Sequence, residues 1–154
     1  MQIKLYSNLL PMGVFYRWAP MHGLSNRKPL RILIADDHEI MRRGLRSVLE
    51  SRCDVDVCEA RDGEEAVEKA KMLKPDLVIL DISMPILDGF TAARRIKEVS
   101  PQTPILIFSL NRTGTFIEVA QKIGASGYIT KDEDGQALLK AVDAALHHGT
   151  YFPA

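Results

Sequence analysis

The chain has 154 residues, enough for one well-buried domain and too few for two ordinary ones. Its 20 Lys and Arg balance 20 Asp and Glu, which excludes a global field that would draw it to nucleic acid, an anionic membrane or an acidic substrate. Two cysteines, Cys53 and Cys58, are too few for a disulfide framework and have no companion ligands at zinc spacing.

Residues 1–29 differ in composition from the rest. Leu9, Leu10, Met12, Val14, Phe15, Tyr16 and Trp18 are interrupted by Pro11, Gly13, Arg17 and Pro20, so no apolar stretch reaches the length of a membrane span or a signal core. Met12 and Met21 offer alternative starts. The segment is read as an amino-terminal extension, either a misassigned start or a flexible arm, with a hydrophobic docking peptide as the third choice.

From Leu30 onward, short β-rich runs alternate with amphipathic stretches. Leu30 to Ala35 is an apolar run that ends in Asp36 and Asp37. Met41, Gly44, Leu45, Val48 and Leu49 then make one helical stripe, with Arg42, Arg43 and Arg46 read as a solvated face. Val55 to Glu59 is the second candidate strand. Cys53 and Cys58 fall along this stretch at an odd interval, so they should face opposite ways and remain unpaired packing thiols, consistent with a reducing cytoplasm.

Asp62 with Glu65 three residues on resembles a capping box, opening a helix with Val67, Ala70 and Leu73 on one face, and Pro75 stops it. Leu77 to Asp81 is the third strand, and a helix follows Asp88 and Gly89 with Phe90, Ala93 and Ile96 inward. Pro104 to Ser109 is the fourth strand. The next helix runs from about Thr113, carries Phe116, Val119, Ala120 and Ile123, and ends at Gly124, a glycine suited to a left-handed cap. Gly127 to Thr130 is the fifth strand, and a last helix from about Asp134 to His148 carries Leu138, Val142 and Ala145 before running out at Gly149. Arg94 and Arg95, like the first arginine cluster, are read as solvated. His147 and His148 complement a helix C-terminus and lack a third ligand for a metal.

Five βα alternations predict an α/β fold, a doubly wound parallel sheet with helices on both faces, in which ligands bind beyond the carboxyl ends of the strands. Asp36, Asp37, Asp81, Ser109 and Lys131 all fall at or just past such ends. Two like charges about 4 Å apart repel by roughly 4 kcal/mol even at an effective dielectric near 20, so three converging carboxylates call for a cation.

The stretches IADDHEIMRRGL, PDLVILDISMPILDG, ILIFSL and GASGYITKD resemble the motifs of two-component response regulator receiver domains over residues 30–149, most closely the NarL/FixJ-like subgroup of the CheY-like superfamily. The resemblance implies a five-stranded sheet in the order 2-1-3-4-5. It implies that Asp81 is the phosphoacceptor, that Mg²⁺ is held by Asp36, Asp37, Asp81 and the backbone carbonyl of Ser83, and that Lys131 and Ser109 contact the phosphoryl group. Ser109 and Tyr128 would form the switch. Tyr128 would turn inward on phosphorylation and repack the surface of the fourth helix, fifth strand and fifth helix, the competing reading being a half-buried strand aromatic. Ser83 and Asn111 lie where receivers tune phosphoryl lifetime. His38 is read as a rim residue.

The implied protein is a phosphoacceptor signalling domain and not an enzyme in the ordinary sense. Its partners would be a sensor histidine kinase or phosphotransfer protein and an unknown output partner, with a phosphorylation-dependent homodimer as a further expectation. No nucleic acid or membrane contact is expected from this chain alone. Residues 150–154 are a tail or the start of a linker; a helix-turn-helix usually follows in the subgroup, so the chain is expected to be either a stand-alone receiver or a truncated form of a longer regulator. The alternative is a phosphorylation-independent interaction module of the same fold. A haloacid-dehalogenase-like phosphatase would need an Asp-x-Asp pair after the first strand, and a flavodoxin-like flavin binder would need a Ser/Thr/Gly-rich phosphate loop there; adjacent acids stand in that place.

Overall fold

The computed structural model describes residues 27–154, so all but the last three residues of the amino-terminal extension lie outside the described residues. Five parallel strands, β1 (Leu30–Ala35), β2 (Val55–Ala60), β3 (Leu77–Asp81), β4 (Ile105–Ser109) and β5 (Gly127–Thr130), pair in the order β2-β1-β3-β4-β5. They alternate with α1 (Glu39–Leu49), α2 (Gly63–Leu73), α3 (Gly89–Val99), α4 (Gly114–Ile123) and α5 (Gly135–Leu146). β3, β4 and β5 are buried at every residue, as strands covered on both faces must be.

The sheet divides the core in two. Leu33, Val78, Leu80, Ile105, Ile107 and Tyr128 face α2, α3 and α4, while Ile32, Ile34, Ile79, Leu106, Phe108 and Ile129 face α1 and α5. Alternate residues of one strand thus enter different layers, following the period of two.

Side-chain caps set three helix starts. Asp62 accepts from Glu65 N–H, Asp88 from Phe90 and Thr91 N–H, and Asp134 from Ala137 N–H. The expected capping box is modified, because the Glu65 carboxylate accepts from Arg61 N–H, one residue before the cap. Gly124 takes the left-handed conformation at φ 82°. The stop of α5 differs from expectation: the helix ends at Leu146, and His148, not Gly149, is left-handed, at φ 60°.

The α1 stripe also departs from the pattern. Gly44 is exposed and Arg42 is buried, so Arg42 is not part of a solvated face. Its Nη1 donates to Asp36 O at 2.8 Å and its Nε to Glu59 Oε2 at 3.0 Å, while Arg46 Nε reaches Glu59 Oε1 at 2.7 Å. Cys53 lies in an exposed turn before β2 rather than on a strand, and both cysteines are free.

The tail is ordered against the sheet. Tyr151 forms a parallel bridge with Gly127 at the outer edge of β5. Among the described residues, no helix is long and apolar enough to cross a membrane.

Candidate functional site

The sheet register carries the acids to one place. β1 lies between β2 and β3, so Asp36 and Asp37 leave β1 beside the end of β3, where Asp81 is the last residue. Gly89 opens α3 directly beneath; a Cβ there would sit 2.0 Å from Asp81 O, so only glycine allows this approach. Lys131 follows β5, and its N–H donates to Ser109 O at 2.9 Å, tying the ends of β5 and β4 together.

Asp36 and Asp81 are 0% and 2% exposed, while Asp37 is open to solvent. Lys131 Nζ lies between the buried pair, 2.6 Å from Asp36 Oδ2 and 3.2 Å from Asp81 Oδ1. Its stem passes over Phe108, with Nζ 5.6 Å from the ring centre. Asp81 Oδ2 has no hydrogen-bond partner, although it is buried. Burial, and then the neighbouring Asp36 charge, push the Asp81 carboxyl above the usual carboxylate range against the pull of Lys131. Burial alone would lower the Lys131 ammonium, but its bonds and charge pairing with Asp36 and Asp81 raise it.

His38 is exposed at the rim of the site, as expected, and its ring reaches both leading acids. Its Nδ1 lies 3.2 Å from Asp36 Oδ1 and 3.1 Å from Asp37 Oδ1, and its backbone N–H donates to Asp36 Oδ1 at 2.8 Å. One ligand atom from each of Asp36, Asp37, His38 and Asp81 fits within 4.8 Å of the others. A single ammonium against three carboxylates leaves an excess of negative charge, and the orphaned buried Oδ2 points to a missing electropositive partner. An oxygen-rich donor set of this kind suits a hard divalent cation such as Mg²⁺.

Ser83 is exposed beyond Asp81. Ser109 is buried, and its Oγ accepts from Asn111 N–H at 3.1 Å. Tyr128 is fully buried, not half-buried, and its hydroxyl donates to Asn111 O at 2.6 Å. Burial raises the Tyr128 phenol.

Arg42 is the site residue that sequence reasoning missed. By holding Asp36 O it fixes the peptide that joins the two leading acids, and the available signal was Glu59, an acid near the end of β2.

A five-stranded sheet in this order, with an acid pair after β1, a buried acid ending β3 and a lysine after β5, defines a receiver-type signalling module. Residues 32–143 match the family model described as the response regulator receiver domain, and the chain belongs to that family. The chain is 38% identical over 125 residues to the transcriptional regulatory protein LnrK of Bacillus subtilis (strain 168), covering 80% of this chain and 57% of that one. It is 37% identical over 123 residues to the nitrate/nitrite response regulator protein NarL of Escherichia coli (strain K12), covering 79% and 57%. The chain thus spans little more than half the length of these relatives. Among solved structures, it is similar to a two-component response regulator of the LuxR family from Aurantimonas sp. SI85-9A1, with TM-score 0.76 and 35% identity over 80% of this chain and 89% of that one. The response regulator domain of Thermotoga maritima CheB matches with TM-score 0.72 and 34% identity over 77% and 97%.

Proposed function

We propose that this receiver accepts a phosphoryl group on Asp81 from a histidine kinase or phosphotransfer protein, assisted by Mg²⁺. The observation that carries the reading is the unpartnered Oδ2 of a buried Asp81 within a cluster of acids. Lys131 engages Oδ1, which leaves Oδ2 as the oxygen free to attack phosphorus. An acyl phosphate O–P bond forms as the donor's N–P bond breaks, and the departing imidazole takes up a proton.

Asp36, Asp37, Asp81 and the Ser83 carbonyl would hold the cation, whose charge offsets that of the incoming phosphoryl oxygens. Lys131 contributes a compact positive charge to the same oxygens, and the Ser109 hydroxyl donates to one of them. Asn111 and Ser83 border the path by which water would reach the acyl phosphate. Phosphorylation would act on the α4–β5–α5 face through Ser109 and Tyr128, and that face would meet the output partner or a second copy of the chain.

Incubation with Mg²⁺ and acetyl phosphate, followed by intact mass, tests the proposal. One Mg²⁺-dependent phosphoryl adduct on the wild type and none on Asp81→Asn is expected. An adduct that persists on Asp81→Asn, or its absence from folded wild type, would overturn it.

A further inference from the structure

After α5 the chain reverses through His148, with Gly149 N–H donating to Ala144 O at 2.8 Å, and runs along the outer edge of β5. Tyr151 N–H donates to Ser126 O at 2.9 Å, and Tyr151 O accepts from Tyr128 N–H at 2.8 Å. Gly127 makes this approach possible, because a Cβ there would lie 2.5 Å from Tyr151 O. The Tyr151 hydroxyl donates to Glu133 Oε2 at 3.3 Å, and the other Glu133 oxygen accepts from Thr130 N–H and Oγ1. Tyr151 packs on the α1/α5 layer and Phe152 on the opposite layer, so this strap grips both sides of the sheet edge.

Tyr128 joins the strap to the acidic site. Its N–H holds Tyr151 O, its hydroxyl holds Asn111 O, and Asn111 N–H is held by Ser109 Oγ beside the end of β3. Its ring belongs to the same apolar cluster against which Phe152 packs. Moving the ring out would break the hydroxyl bond and disturb the apolar cluster on which Phe152 packs.

We propose that residues 150–153 are a strap whose seating is coupled to phosphoryl occupancy of Asp81 through Ser109, Asn111 and Tyr128. This rests on the phosphoacceptor reading given above. Both events favour the buried Tyr128 arrangement, so phosphorylation tightens the strap and release of the strap weakens the phosphorylated state by the same factor.

The test follows amide hydrogen exchange of Tyr151 by NMR in the full chain. With Mg²⁺ and acetyl phosphate, and the adduct verified by mass, Tyr151 exchange should slow by about fivefold or more. Unchanged exchange with the adduct fully formed would overturn the coupling. Ser109→Ala tests the relay with no donor present. It touches no tail residue, yet should speed Tyr151 exchange, and an unchanged rate would count against the proposal; Tyr128→Phe serves the same purpose if that variant misfolds.

In the reverse direction, Tyr151→Pro should lower the Mg²⁺-dependent affinity for beryllofluoride by the factor that phosphorylation imposes on Tyr151 exchange. Wild-type affinity in that variant would also overturn the coupling. Absence of any adduct or beryllofluoride binding defeats the phosphoacceptor reading itself, and the relay then stands or falls on the Ser109→Ala rate.

Discussion

Asp81→Asn should make the metal-free protein more stable while abolishing phosphorylation. Wild-type Asp81 is 2% exposed, carries an oxygen without a partner and faces the buried Asp36 carboxylate. An unsatisfied buried acceptor costs about 1–3 kcal/mol, and more when it is charged. The variant removes that charge and gives up one 3.2 Å contact with Lys131, which keeps its 2.6 Å bond to Asp36. The net gain is about 1–2 kcal/mol, or roughly 3–8 °C in Tm for a domain of this size.

The gain must depend on pH. Asp81 titrates above its unfolded value in the folded state, so its favourable share of stability is complete below the unfolded pKa and is lost as pH rises through the folded one. The advantage of Asn over Asp therefore vanishes in acid and grows toward neutrality. Thermal unfolding in EDTA across that range, followed by circular dichroism, measures it. Adding Mg²⁺ should raise the wild-type Tm more than that of the variant. A variant no more stable than wild type in EDTA at neutral pH would refute the claim that Asp81 is a buried charge only partly compensated by Lys131.

Lys131→Ala leaves the Asp36 and Asp81 pair without its shared cation and should cost about 3–5 kcal/mol in metal-free urea unfolding, with part recovered in Mg²⁺; a loss below about 1 kcal/mol would contradict the pairing. Arg42→Met keeps the stem but bares Asp36 O, and should cost about 2–3 kcal/mol by the same assay and weaken Mg²⁺ binding by calorimetry. Arg42→Lys should recover only part of this, because an ammonium cannot span Glu59 and Asp36 O as the guanidinium does. Ile86 is 80% exposed and held at φ 69°, a conformation unfavourable for a β-branched side chain. Ile86→Asn should therefore raise stability by about 1 kcal/mol.

The strand runs were legible because burial on both faces leaves nearly unbroken apolar stretches, and β1, β3 and β5 span the residues the sequence predicts. The cap at Asp62 was legible for a local reason, since it bonds an N–H three residues away, and the caps at Asp88 and Asp134 are equally local, at the points where the sequence places the starts of those helices. Residues that act across the fold were harder to read. Arg42 sits in a row of arginines that looks the same in sequence whether bathed in water or closed over by β2. Its burial depends on Glu59, 17 positions on, and on a carbonyl at the end of β1. The acid pair was visible as a motif, but the reach of His38 Nδ1 to both carboxylates depends on how the chain turns into α1. The full burial of Tyr128 was equally hard to read, because side-chain rotamer is invisible to periodicity. The tail gave one faint signal: adjacent Tyr151 and Phe152, which in an extended segment point to opposite faces and so can enter both layers.

The seating of Tyr151 also bears on solubility. An open parallel sheet ends in two strands whose free backbone groups invite a second chain to add on. At the β5 end, the Ser126 carbonyl and Tyr128 N–H are occupied by the protein's own tail. At the β2 end, the strand carries Asp56 and Glu59, charges that a docking strand would have to accommodate. The protein thus guards its two borders by different means, one with backbone and the other with charge, and loosening the tail would uncover the border that has no charge of its own.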